Sequence, residues 1–166
     1  TVELMAEKVK EVIDALKLEK INLLGHSLGG YVSLAFAEKF PEILESMTLF
    51  FSTTVADDDE KKQIRKRSIA VIDENFETFV KTSIPNLFSN NEKDILEGKI
   101  ELAKNIAKST DKEGVKAAQL GMAERPDRTE ILENLDAKIL IIAGKYDNAV
   151  KTENLLKIIQ EKTNIK

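Results

Sequence analysis

Ser27 is the residue best placed to do chemistry, because of the ten residues around it. Ile21 to Gly30 read I-N-L-L-G-H-S-L-G-G, a short apolar run ending in Gly25-His26-Ser27-Leu28-Gly29. In a G-x-S-x-G string of this kind a buried strand delivers the chain to a sharp turn and a helix leaves it. The serine at the apex is strained, and its hydroxyl is pushed into a cleft. A side chain two residues before or after the serine would collide with the strand–helix crossing, so Gly25 and Gly29 are both expected to be sterically required. The flanks fit: Ile21, Leu23 and Leu24 make the strand, and Tyr31 to Lys39 read as a helix stopping at Phe40-Pro41. The rival reading has Ser27 merely capping a helix N-terminus. Used as a nucleophile, its hydroxyl attacks an acyl carbon, but only if a base takes its proton and a carboxylate orients that base.

The rest of the chain must position that serine. With 42% hydrophobic and 33% charged residues, 166 residues suit one ordinary globular domain with a real core. A formal charge of -4 gives no reason to expect nucleic acid or an anionic membrane as partner. The absence of cysteine rules out a disulfide framework, a thiolate nucleophile and a thiolate metal site. No His/Asp/Glu cluster has metal-ligand spacing, so neither metal nor cofactor is expected. No apolar stretch approaches the roughly 20 residues of a membrane span, and the expected compartment is the cytoplasm. A first residue of Thr1 suggests a processed or excised piece.

Met5, Val9, Val12, Ile13 and Leu16 form a helical stripe, with Glu3 near the positive helix end. Further strands are expected at Met47–Phe51 and Ile139–Ala143, and a last helix over Thr152 to Lys162. The long stretch between the second and third strands shows helical periodicity only. Asp57-Asp58-Asp59-Glu60 begins one helix there, and Phe76, Phe79 and Val80 continue an apolar face. Asn90-Asn91-Glu92 starts another helix, and Thr110 or Asp111 caps a fourth. The basic cluster Lys61, Lys62, Arg65, Lys66 and Arg67 reads as a solvated helix face beside an acidic run.

The string from Gly25 to Gly30, then Ala37-Glu38-Lys39-Phe40-Pro41-Glu42, resembles the α/β-hydrolase superfamily. So do Arg125-Pro126-Asp127-Arg128 and the run from Lys138 to Asp147. The resemblance implies a partial α/β-hydrolase fold: a three-stranded parallel sheet, flanking helices and an inserted four-helix lid. Residues 1–54 and 127–166 would form the core, and 55–126 the lid. It implies Ser27 as nucleophile, the Leu28 N–H as half of the oxyanion hole, and Asp147, in G-x-x-D after a buried strand, as the triad acid. A plain turn aspartate is the alternative for Asp147. His26 is the only histidine. It adjoins Ser27 in a tight turn, so both side chains cannot enter one cleft, and it is expected to pack or hydrogen-bond. The family's base follows one more strand, so the triad histidine is expected to be missing from this chain.

The implied activity is hydrolysis of an ester or other acyl bond of a small molecule through an acyl-serine. The alternatives are a cofactor-free haloperoxidase-like or carbon–carbon bond-cleaving relative, or a non-catalytic binding protein. Missing family segments would leave an apolar sheet face and a central strand edge uncovered, so self-association, most plausibly as a homodimer, is expected.

Overall fold

Three strands carry the site: β1 (Ile21–His26), β2 (Leu44–Phe50) and β3 (Lys138–Ile142), paired in parallel in that order. The structure is a computed structural model that describes residues 1–145, Asp147 and Val150. The helix expected over Thr152 to Lys162 lies outside the described residues. β1 continues past Leu24 to His26, so the strand ends directly beneath Ser27. β2 stops at Phe50 rather than Phe51, because Phe51 turns to φ 49 and cannot continue a pleated strand.

The apolar strand runs alternate in burial. Leu23, Met47 and Ile139 stand side by side in register, with Met47 and Ile139 fully covered. One residue on, Leu24, Thr48 and Leu140 share the other face, where Leu24 is 63% and Leu140 45% exposed. The covered face receives α2 (Leu28–Lys39), which packs on β1 and β2 and on α1 (Val2–Ala15). Leu34 and Phe36 of α2 and Val2 and Ala6 of α1 form the centre of this core. α1 uses only part of the stripe its sequence suggests. Val2, Ala6 and Ile13 are its buried side, while Val12 is 58% and Leu16 63% exposed. Met5 and Val9 are half-buried beside an apolar groove of about 370 Å³, which Leu23, Leu24, Leu28 and Val32 also line. The outer edge of β1 pairs with no strand among the described residues.

Two compact units divide the chain: Thr1–Ala56 with the residues from Glu124 on, and Asp57–Ala123. The second is helical, comprising α3 (Asp59–Glu74), α4 (Phe76–Ser83), α5 (Glu97–Lys108) and nearly all of α6 (Lys112–Glu124). Its small core is Ile72, Val80 and Ile100. Asp58 caps α3 through the Lys61 N–H at 2.8 Å, Asn75 caps α4, and Asp111, not Thr110, caps α6 through the Gly114 N–H. The helix expected to start at Asn90 is a 3₁₀ turn, Asn90–Glu92, with no side-chain cap, and α5 begins only at Glu97. The basic cluster of α3 is not one patch. Arg65 turns to Asp57 and to Gln119, and Arg67 returns to the Gln63 carbonyl of its own helix.

In the first unit α7 (Ile131–Asn134) and the segment before it return the chain to β3, and two buried arginines fasten that segment. Arg128 donates to Glu38 of α2 at 2.9 Å and to Glu3 of α1 at 2.7 Å. Burial alone would raise the Glu3 carboxyl, but the Arg128 hydrogen bond, with its own backbone N–H and Thr1, lowers it from 4.5 to about 2. A carboxyl with a folded value below its unfolded one stabilises the fold fully above the unfolded value, and that stabilisation is lost as pH falls through the folded value. The urea midpoint of Glu3→Gln should therefore lie below wild type at neutral pH and converge with it between pH 4.5 and about 2. Parallel curves across that window would show that Arg128 does not hold Glu3 in solution.

Candidate active site

Ser27 sits at the end of β1 with φ 51 and ψ -115, one of three described non-glycine residues at positive φ. Strain of this kind persists only where the surroundings impose it. The Ser27 N–H donates to the Phe50 carbonyl at 2.9 Å, so β2 holds the chain until the turn begins. The Ser27 carbonyl accepts from the Gly30 N–H and from the Ser52 hydroxyl, both at 2.9 Å. The side chain is exposed and makes no capping bond to α2, so the capping role weighed from sequence is not what the hydroxyl does. Leu28 opens α2, and its N–H donates to no group among the described residues. That unspent donor at the positive end of a twelve-residue helix suits developing negative charge.

The glycines divide differently from expectation. A Cβ at Gly25 would overlap the Gly29 carbonyl oxygen and Ser33 Oγ, so Gly25 is required, as the motif predicts. At Gly29 a Cβ would meet nothing within 4 Å, because that position faces the open groove beside β1. The second crowded position is Gly30, where a Cβ would overlap the Ser52 side chain. The tight crossing thus runs against the turn after β2.

Asp147 lies in the turn after β3. Its N–H donates to the Gly144 carbonyl at 3.2 Å, and its Oδ1 accepts from the Val150 N–H at 3.0 Å. Ser27 and Asp147 thus stand at the carboxyl ends of the two outer strands with β2 between them. Joining a serine and a carboxylate into a triad takes an imidazole between them. His26 does not supply it. Its ring packs on Phe50 at 5.3 Å and on Phe51 at 6.3 Å between centroids. The structure brings Ser27 and Leu28 together and sets Asp147 at the same end of the sheet.

Three further residues brace the elements that carry the site. Ser52 is fully buried beneath Ser27. Phe51, at φ 49, lays its ring against Gly144, where a Cβ would come within 2.6 Å of the ring. Arg125 places its guanidinium 3.9 Å from the centre of the Tyr31 ring in α2 and donates to the Val55 carbonyl at 2.9 Å.

Ligands of open α/β sheets bind at the carboxyl ends of the strands, which is where these residues gather. Relatives share this arrangement of chain. Over its full length the chain superposes with TM-score 0.90 on a thermophilic esterase from Thermogutta terrifontis, at 32% identity and covering 62% of that chain. It is 28% identical over 146 residues to a putative 2-succinyl-6-hydroxy-2,4-cyclohexadiene-1-carboxylate synthase of Bacillus subtilis, covering 82% of this chain and 53% of that protein. The enol-lactonase of Burkholderia xenovorans, at 19% identity and TM-score 0.86 over 63% of that chain, shares the fold. The chain therefore spans about half to six-tenths of the length of these relatives. No described helix is long and apolar enough to cross a membrane. With the alpha/beta hydrolase fold model matching residues 1–166 and the parallel sheet ending in a strained serine turn, this chain belongs to the α/β-hydrolase-fold family.

Proposed function

We propose that the whole protein hydrolyses an ester, or a related acyl bond of a small molecule, through an acyl-serine intermediate on Ser27. The observation that carries the reading is the Ser27 backbone at φ 51 with its hydroxyl spent on no cap, beside the undonated N–H of Leu28. The esterase with 32% identity adds support. A base takes the Ser27 proton as Oγ attacks the acyl carbon, and the carbonyl oxygen becomes an oxyanion that accepts from Leu28. The base returns the proton to the departing alcohol, and water then releases the acid by the same route. Asp147 would orient the base, a histidine contributed from outside these 166 residues. The helical unit, inserted in the chain between β2 and β3, would serve as the lid that shapes the substrate pocket.

Acyl trapping tests the reading. The whole protein, quenched early with a p-nitrophenyl ester, should carry one acyl group on the peptide containing Ser27. Turnover of the ester with no adduct at any time would overturn it.

A second reading, carbon–carbon bond cleavage without an acyl-serine, draws on the synthase-named relative and on a 45% identity over 47 residues to a 2-hydroxy-6-oxononadienedioate/2-hydroxy-6-oxononatrienedioate hydrolase of Escherichia coli. Turnover of carbon-acid substrates with no adduct would favour it.

A further inference from the structure

The oxyanion donor and its aim come from one peptide group, the one joining Ser27 to Leu28. The peptide is trans, as are the others among the described residues, so its C=O and N–H lie in one plane and point opposite ways. Whatever holds the Ser27 carbonyl therefore also fixes where the Leu28 N–H points. Two donors hold that carbonyl: the Gly30 N–H from within α2, and the Ser52 hydroxyl from beyond β2. We infer that Ser52 is a positioning residue of the active site, whose hydroxyl aims and polarises the Leu28 N–H through the shared peptide. The inference rests on Ser27 as nucleophile and assigns a role to a residue 25 positions away in sequence.

Three observations place Ser52 there by more than chance packing. It is fully buried, where a hydroxyl must find a partner, and the partner it has is the Ser27 carbonyl. Gly30 exists at the third position after the serine because the Ser52 side chain occupies the space a Cβ would take. The residue before it, Phe51, accepts an unfavourable φ of 49, and that turn is what carries Ser52 under the elbow. The turn is in turn pinned to β3, since the Phe51 N–H donates to the Ile142 carbonyl at 2.8 Å. Strain at two successive strand ends, Ser27 and Phe51, thus serves a single contact between them.

Chemically, a carbonyl that accepts two hydrogen bonds is more polarised, and its own N–H is a better donor, because linked hydrogen bonds strengthen one another. The gain appears only when the oxyanion forms, so it lowers the barrier without tightening substrate binding. Losing an oxyanion donor outright costs about 10² to 10³ in kcat. Losing its brace should cost less, about tenfold, because Gly30 still holds the carbonyl.

The experiment compares Ser52→Ala and Ser52→Cys with the whole wild-type protein, using p-nitrophenyl esters and an alkyl boronic acid, which forms a tetrahedral adduct on an active serine. Cysteine nearly preserves the shape but donates weakly. The expected order of kcat is Ser, then Cys, then Ala, with KM unchanged and boronate affinity falling in parallel with kcat. A merely structural serine would shift the melting temperature and leave kcat and boronate affinity at wild-type values below the transition. That result in the folded alanine variant overturns the inference. If alanine prevents folding, the cysteine variant decides on the same readouts. The nucleophile reading fails separately: it falls if Ser27→Ala retains ester hydrolysis, whereas Ser52 alone is refuted if Ser27 is essential and both Ser52 variants keep full kcat.

Discussion

Replacing Ser27 by alanine in the whole protein should lower kcat for ester hydrolysis by about 10⁴ to 10⁶, leaving only what binding and oxyanion stabilisation supply. The fold should survive, because the Ser27 hydroxyl bonds to nothing described, and the bonds that set the turn come from its N–H and carbonyl. Glycine at the same position sharpens the result. A non-glycine residue at φ 51 and ψ -115 carries strain of about 1 to 3 kcal/mol, which glycine relieves, partly offset by glycine's greater freedom in the unfolded chain. Ser27→Gly should therefore be as inactive as alanine and melt at or above the wild-type temperature. Activity lost with stability kept or gained marks a residue strained for its task. Near-full kcat in the alanine variant would remove Ser27 from the mechanism, whatever its backbone does.

The serine turn was legible because its causes are local. Gly25, the apolar strand before it and the helix after it all lie within about twenty residues, and each carries a compositional signal. The three strands were legible for the same reason, as short apolar runs ended by Ser27, Phe51 and Gly144, while their parallel pairing was implied by the family resemblance. What supports the turn was not legible. Ser52 is one serine among several until its partner 25 residues earlier is known, and Arg128 reaches Glu3 across 125 residues. Gly29 shows the limit of reading a motif letter by letter. The pattern marks Gly25 and Gly29, yet the crowding falls on Gly25 and Gly30, because the obstacle is a side chain from after β2. The α1 stripe was legible only in part. Periodicity shows that a helix has an apolar side, but which part of it is covered depends on its neighbours: Ile13 is buried and Val12 exposed, while Val2 and Ala6, outside the stripe, are buried. The helix expected at Asn90 is a 3₁₀ turn there, and the α-helix that follows starts only at Glu97.

The 166-residue chain by itself should not turn over, and the reason lies in its one histidine. His26 follows the strand geometry of β1, and its ring is packed on Phe50 and Phe51. Adjoining Ser27 in the turn, with its ring held on these two phenylalanines, it is not expected to serve as the base. Without a base the Ser27 hydroxyl stays protonated as it attacks, and a serine hydroxyl in that state is a poor nucleophile. A fluorophosphonate probe reports this directly, since it phosphonylates serines in proportion to their activation. Labelling of the isolated chain should be slower by about 10⁴ than labelling of the whole protein, matching the loss of a triad member. His26→Ala in the whole protein should leave the labelling rate within a few-fold of wild type, because the ring only packs. Rapid, stoichiometric labelling of Ser27 in the isolated chain would show that a group already within these residues acts as base. If His26→Ala then abolished that labelling, the base would be His26 itself, and the turn after β1 would have to open enough to swing the ring off Phe50 and toward its neighbour.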